Sequence, residues 1–388
     1  MKSNYEPLGK HIRLVDYRNS EEVTSTVLGI SIDKEFMPSV ANVIGTDLSR
    51  YKLISKGLFA CNPMHVGRDE RLPIALYEKD NAAIVSPAYF MFEIIDHAIL
   101  NEEYLMMWFR RPEFDRECWF MTDGSVRGGI TWDDLCRIKL PVPSYMRQCE
   151  IVESYRTITN RIALRRAEND NLEATAMSLY KSWFIDYEPF DLDDEGLPVG
   201  WCKEKLNDKL STSTQSINPQ KMDCDFVWHY SIPAYDNEKL PSKDTPSSIL
   251  SNKYIVPQNA ILVSKLNPDT KRIWRSVPCF ENAICSTEFI VFSTKEPTHR
   301  AFYYLLFNTG SFIDFLVSNA TGSTNSRMRV KPASSLDFEF ICPPNEVIDS
   351  FCRKVEPLLQ KIEENHLEIR KLKELIPIAV AKMMSSSR

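Results

Sequence analysis

Glycine is scarce, at 12 in 388 residues, and no stretch reads G-x-x-x-x-G-K-[Ser/Thr]. A phosphate-cradling loop needs glycines where backbone N–H groups must approach the ligand, so a phosphate-loop enzyme is excluded. A DNA methyltransferase would need a Gly-rich cofactor loop and an Asn-Pro-Pro-aromatic motif. Asn62-Pro63-Met64, Asn218-Pro219-Gln220 and Asn267-Pro268-Asp269 do not fit that motif. The acid-x-Lys step of many nucleases is reduced to Asp269-Thr270-Lys271, a match that chance supplies. The six histidines are far apart and suggest neither catalysis nor metal binding. Cysteines number ten, at 61, 118, 136, 149, 202, 224, 279, 285, 342 and 352, with no C-x-x-C pair. Zinc-ligand spacing is therefore missing, and free, mostly buried thiols are expected. No run of 18 apolar residues offers a membrane span. Met1 to Ser20 is mixed and polar, without the apolar core of a signal peptide. These absences predict a cytoplasmic protein that makes no membrane contact, holds no metal or cofactor and does no chemistry.

Positive charge is also lacking. The net charge is −6 and the pI near 5.7, unlike the usual basic DNA-binding domain. The balance is uneven, however. Residues 1–143 hold 17 basic and 21 acidic side chains, and residues 203–344 hold 16 and 14. Asp186, Glu188, Asp191, Asp193, Asp194 and Glu195 crowd six carboxylates into a stretch that also carries Pro189, Gly196 and Pro198, which reads as a solvated linker. A DNA reader of this composition needs local basic clusters, or partners that add positive charge.

With 43% hydrophobic and 26% charged residues, the chain can build packed cores, and its length suggests two or three domains. The strongest signal is an internal repeat with a period near 200 residues. Ile151, Tyr155, Ile158, Ile162, Arg165, Asn169, Leu172, Ala176, Leu179 and Trp183 follow alternating steps of four and three. Two hundred residues on stand Phe351, Val355, Leu358, Ile362, Asn365, Ile369, Leu372, Ile376, Ala379 and Met383. Such spacing marks a helix that buries a narrow stripe against another helix. Each helix would be about 50–60 Å long at 1.5 Å per residue. Pro357 and Pro377 break the second pattern and predict a kink, or a start near Pro357, and fraying near Pro377. Arg165 and Asn169 are polar seam residues of the kind that specify register.

The repeat extends upstream. Ile84 to Phe92 parallels Ile284 to Phe292, both aromatic-rich alternating strands. Lys56 to Asn62 parallels Asn259 to Lys265, and Phe114 … Gly124-Ser125 parallels Phe312 … Gly322-Ser323. Leu140-Pro141-Val142-Pro143 and Ile341-Cys342-Pro343-Pro344 each close a strand before the long helix. The expected fold is thus mixed α/β (α+β): two similar globules and two long antiparallel helices that separate them, with a pseudo-twofold repeat. The boundaries read as 1–143 for the first globule, 144–185 for the first helix, 186–200 for the linker, 201–344 for the second globule and 345–388 for the second helix. Two readers held tens of ångströms apart would touch two short DNA blocks and skip the bases between, since a double helix rises about 34–36 Å per turn.

Lys181-Ser182-Trp183-Phe184-Ile185-Asp186-Tyr187-Glu188-Pro189-Phe190 resembles the central segment of the Type I restriction-modification specificity subunits, the HsdS family. Gly196-Leu197-Pro198-Val199-Gly200-Trp201 resembles the start of that family's second recognition domain. The junction from Leu140 to Ile151 and the Gly-Ser steps agree, and the resemblance covers nearly the whole chain. Tyr5-Glu6-Pro7-Leu8 stands where Trp201 and its flanks stand in the second half. The resemblance implies two target-recognition domains that each read half of a split site in double-stranded DNA. It also implies helices that dock two adenine-methylating modification subunits, with restriction subunits joining them. S-adenosylmethionine would belong to the modification subunits.

Base edges are read by Arg, Lys, Asn and Gln, and phosphates are held by basic and hydroxyl side chains. In the first half the candidates are Arg68 and Arg71 in a polar loop, Arg127 beside the Gly-Ser step, and Arg110 and Arg111 after an aromatic helix. In the second half Lys265, Asn267, Lys271, Arg272 and Arg275 form a basic loop at the place of Asn62 to Arg71. Ser323, Thr324, Asn325, Arg327 and Arg329 form another. Trp108, Phe109 and Phe114 read as core. Helix pairing falls to Ile151, Ile158, Ile162, Leu172 and Leu179 against Phe351, Val355, Leu358, Ile362 and Leu372. The competing reading is a coiled-coil scaffold without DNA readout.

Overall fold

The computed structural model describes residues 5–39, 45–64, 66–122, 128–277, 280–322 and 328–385. The chain divides into two compact units: residues 1–160 with 373–388, and residues 161–372.

In the first unit the strands are β1 (Tyr5–Pro7), β2 (Ile12–Leu14), β3 (Val27–Ile30), β4 (Phe36–Pro38), β5 (Lys52–Ile54), β6 (Phe59–Cys61), β7 (Ile74–Leu76), β8 (Ala83–Val85), β9 (Phe90–Ile94) and β10 (Lys139–Pro141). The helices are α1 (Val66–Asp69), α2 (Glu102–Phe109), α3 (Pro112–Phe120), α4 (Trp132–Arg137) and α5 (Tyr145–Phe184), whose first sixteen residues belong to this unit. One sheet runs β2-β9-β6-β7, a second β4-β3-β8-β5, and β1 pairs antiparallel with β10. Alternation along β6 and β9 stacks Phe59 directly on Phe92, ring centroids 5.1 Å apart. Trp108, Phe109 and Phe114 close over that pair as buried core, as expected of these aromatics. Asn101 caps α2, and Thr131 caps α4, each accepting hydrogen bonds from first-turn N–H groups.

The second unit repeats this plan. Its strands are β11 (Cys202–Lys205), β12 (Leu210–Ser213), β13 (Ser216–Ile217), β14 (Val227–Tyr230), β15 (Ser242–Asp244), β16 (Lys253–Ile255), β17 (Ile261–Ser264), β18 (Ile273–Arg275), β19 (Ala283–Cys285), β20 (Phe289–Thr294) and β21 (Glu339–Cys342). Its helices are α6 (Leu206–Lys209), α7 (Ile232–Glu238), α8 (Arg300–Phe307), α9 (Gly310–Ser318), α10 (Pro332–Ser335) and α11 (Asn345–Ser385). The sheets run β12-β20-β17-β18 and β13-β16-β19-β14-β15, with β11 antiparallel to β21. Apart from the added edge strand β13, the strand order is that of the first unit, with β14 and β3 sharing the same parallel pairing to β19 and β8. The register refines the sequence alignment. Phe59 faces Phe92 and Leu76, whereas Ile261 faces Phe292 and Arg275. Ile261 therefore stands at the place of Phe59, one residue off the sequence pairing, and Arg275 at the place of Leu76. Likewise Leu8 donates its N–H to Ile138 O, as Leu206 does to Phe338 O. Leu8 thus matches Leu206, and the expected match of Tyr5–Leu8 to Trp201 is corrected by a few residues.

The linker is not merely solvated. Asp193 Oδ1 accepts from the N–H groups of Glu195 and Leu197, and Leu192 bridges to Pro198. Tyr187, Phe190 and Phe184 pack around Trp201, with centroids 4.9–5.7 Å away.

Within the second unit α5 and α11 run antiparallel. Asn169 meets Asn365, and Phe184 meets Phe351, so advance along one helix is retreat along the other. Asn365 Nδ2 donates to Asn169 Oδ1 at 2.8 Å and to Glu168 Oε2 at 2.9 Å, both asparagines being buried. Arg165 reaches Glu368 at 2.8 Å. In the first unit Ile151, Val152 and Val380 share one core, with Ile376 against it. Ile162, Phe351, Val355 and Ile362 are buried, while Ile158, Leu172, Leu179 and Leu372 are half-buried. Leu358 is half-buried too, and Leu359 takes the deep seam place. The side chain of Met383 lies outside the described residues. The prolines neither start nor end α11, which runs unbroken from Asn345 to Ser385. Pro357 and Pro377 are both exposed, so water can hydrate the carbonyls that lose a helix partner.

Candidate DNA interface

In each unit a polar loop leaves the same strand and is stitched to the same later segment. In the first, Gly67 N–H donates to Gly128 O at 2.9 Å and Ile130 N–H to Pro63 O at 3.1 Å. Gly129 makes this approach possible, since a Cβ there would lie 2.9 Å from Pro63 O. In the second, Asn267 N–H donates to Met328 O at 2.8 Å and Val330 N–H to Lys265 O at 3.0 Å. Asn267 sits at φ 47°, a left-handed turn that asparagine tolerates. In the second half, residues 265–267 and 328–330, separate in sequence, are thus joined.

The candidates fare differently on this frame. Arg68 grips its neighbour Asp69 through Nε and Nη2 at 2.7 and 2.9 Å. Arg71 reaches Asp33 at 3.3 Å. Arg71, Arg110 and Arg116 line one cleft with Asp33, Asp69 and Glu70, and at its base lies the buried pair Lys34–Asp115. Arg110 donates to the Tyr155 hydroxyl at 3.5 Å, and Arg111 lies 3.3 Å from Glu113. Arg329 grips Glu288 at 3.0 and 3.1 Å, and Lys271 reaches Asn308 O at 3.5 Å. Lys265 is half-buried. Arg272 is held by Asp236 at 2.7 and 2.9 Å with only 14% of its side chain exposed. The carboxylates beside Arg68, Arg272 and Arg329 hold these guanidiniums more firmly charged than usual.

Arg275 is the clear departure from the sequence expectation. It is not in the loop but in β18, buried, with Nη2 2.5 Å from Glu356 and Nε 3.4 Å from Glu363 of α11. A strand alternates its faces, and this one turns Arg275 to the helix. Arg127, Ser323, Thr324, Asn325 and Arg327, with the Gly124-Ser125 step, lie outside the described residues. Sequence reasoning missed Arg116, whose only signal was its exposed place on α3, and the Lys34–Asp115 pair.

Exposed ion pairs are worth only about 0–1 kcal/mol. The exposed arginines at Arg68, Arg71, Arg116 and Arg329 can therefore trade a carboxylate for a phosphate or base edge at little cost. Among the described residues no cluster could hold a metal ion, and no helix is long and apolar enough to cross a membrane. The cysteines other than Cys279, which is outside the described residues, are free thiols.

No family model matches the chain. Among curated proteins it is similar to the Type I restriction enzyme MjaIX specificity subunit of Methanocaldococcus jannaschii, 22% identical over 308 residues, 73% of this chain and 68% of that one. It is also similar to the Type I restriction enzyme HindI specificity subunit of Haemophilus influenzae, 20% identical over 450 residues, 96% of each. Among solved structures, the Type I restriction-modification S subunit from M. genitalium shares its fold with a TM-score of 0.58 at 12% identity, over 98% of this chain and 95% of that one.

Proposed function

We propose that the chain, similar as it is to Type I restriction-modification specificity subunits, is a non-catalytic subunit of that kind and reads a split target in double-stranded DNA, one block per unit. The carrying observation is the repetition itself. Two units of one topology each present a polar loop stitched to a second segment at the same place, but with different side chains. Same frame with different chemistry is what two readers of two different blocks require. The recognition domains are then residues 1–143 and 201–344, and α5 and α11 dock two modification methyltransferase subunits, with restriction subunits joining the complex. S-adenosylmethionine would be bound by the modification subunits. The chain itself supplies sequence choice, in the cytoplasm where the target DNA lies.

The test is methylation mapping. The chain is co-expressed with its modification subunit in a methylation-free host, and modified adenines are located by sequencing. Two short blocks around a constant gap are expected. A stable complex that adds no methylation, with only weak, salt-dependent DNA binding, would instead mark a coiled-coil scaffold.

A further inference from the structure

Where the second recognition domain begins and ends, β11 and β21 form an antiparallel ladder that places Cys202 opposite Cys342. Directly opposed residues share a face, with Cα atoms about 4.5–5.5 Å apart. That range lies inside the roughly 4.4–6.8 Å a disulfide spans. Both thiols belong to one polar cluster. Cys202 Sγ lies 3.5 Å from Glu204 Oε1, and Glu204 Oε2 holds Lys209 at 2.9 Å. Cys342 interacts with Glu204, Lys209 and Cys202. Cys202 is exposed while Cys342 is buried, so one thiol is open to an attacking reagent and the other waits behind it. The repeat does not demand the pair: Val142 stands at the corresponding place in the first half.

We propose that Cys202 and Cys342 are a redox-modification site, a cross-strand dithiol that closes to a disulfide and clasps the two ends of the second domain. The oxidant is a small-molecule disulfide such as oxidised glutathione. Cys202 thiolate attacks one sulfur and releases one glutathione thiolate. Cys342 thiolate then attacks the Cys202 sulfur and releases the second. Two thiols lose two protons and two electrons, and the glutathione disulfide becomes two thiols. Burial pushes both cysteine thiols up, that of Cys342 to about 12, with Glu204 reinforcing and Lys209 opposing. The exchange is therefore expected to quicken in mildly alkaline buffer, with Tyr180 and Tyr303 beside Cys342 and the Lys203–Glu339 ion pair on the same ladder.

The folded full-length chain is treated with oxidised glutathione, free thiols are blocked, and the digest is analysed by mass spectrometry. A peptide pair linked through Cys202 and Cys342 is expected as the main product. Because the bond closes a long loop, the melting temperature of the oxidised chain should rise by several degrees. Cys202→Ser, at an exposed position, should abolish both effects without disturbing the fold. Recovery of Cys202 as a stable glutathione adduct with Cys342 still a thiol would overturn the proposal. So would two free thiols under conditions that fully oxidise a reference dithiol.

Discussion

Lys34 stands between Asp33 and Glu35, a run that reads as a solvated turn, yet it is one of the most buried charges in the molecule. Its Nζ donates to Asp115 Oδ1 at 2.7 Å and to Leu72 O at 2.8 Å, and the Leu72 N–H donates to the same carboxylate at 3.0 Å. The ammonium also sits 5.2 Å from the centre of the Phe114 ring. Burial lowers the Lys34 pKa and Asp115 opposes that shift. Removing one partner of such a pair strands the other, at about 3–5 kcal/mol. Lys34→Met should therefore lower the unfolding free energy of the first unit by roughly that amount, as measured by urea denaturation. The double variant Lys34→Met with Asp115→Leu should recover most of the loss. A single substitution within a few tenths of wild type would show that the pair is not what pins this loop to α3. None of this was legible in sequence, because the partner lies 81 residues away. Arg275 escaped for a related reason: beside Lys271 and Arg272 it looks like a loop cation, and only the strand's alternation turns it inward.

At the scale of elements the long helices were the most legible part. Steps of three and four over forty residues have few other solutions, and both helices follow. The prolines misled because their cost depends on what faces the lost hydrogen bond, and sequence does not say that water does. The repeat also hides a reversal of charge. Arg156 of α5 ties to Glu103 of α2, and two hundred residues on Glu356 of α11 ties to Arg275 and Arg300. The first tie is exposed, with 58% of the Arg156 side chain in water, while Arg275 and Arg300 show 5% and 7%. Burial lowers the Arg300 pKa to about 10, with Arg275 pushing the same way and Glu363 and Glu356 opposing. Ties made from equivalent helix positions should thus differ in cost. Glu103→Gln should cost at most about 1 kcal/mol, as surface pairs do. Glu356→Gln should cost roughly 3 kcal/mol, because it takes one of two facing carboxylates from two buried guanidiniums. Denaturant titrations of the two variants compare these directly. Equal losses would mean that burial does not set the value of this tie.

For the whole molecule, the repeat makes the proposed function separable. The fold class and the doubled plan could be read before any coordinates, since apolar spacing, strand-closing prolines and aromatic alternation recur at one period. The proposed reading surface was legible only in outline. Basic residues suggested its loops, but the joining through Asn267 and Met328, and through Gly67 and Gly128, is a product of tertiary hydrogen bonds. If each unit reads one block, loop substitutions in one should leave the other block untouched. Arg71→Ala with Arg116→Ala should relax or weaken one block of the methylated motif, and Lys271→Ala with Arg329→Ala the other. A lost base contact costs about 1–3 kcal/mol and degrades one motif position. A lost phosphate contact weakens all sites alike and lowers the salt slope by about 1. Motif sequencing and salt titration of the assembled complex distinguish these two. Degeneration of both blocks by one pair of substitutions, with assembly intact, would contradict independent reading. It would favour a single composite surface, since effects at two truly separate sites should simply add.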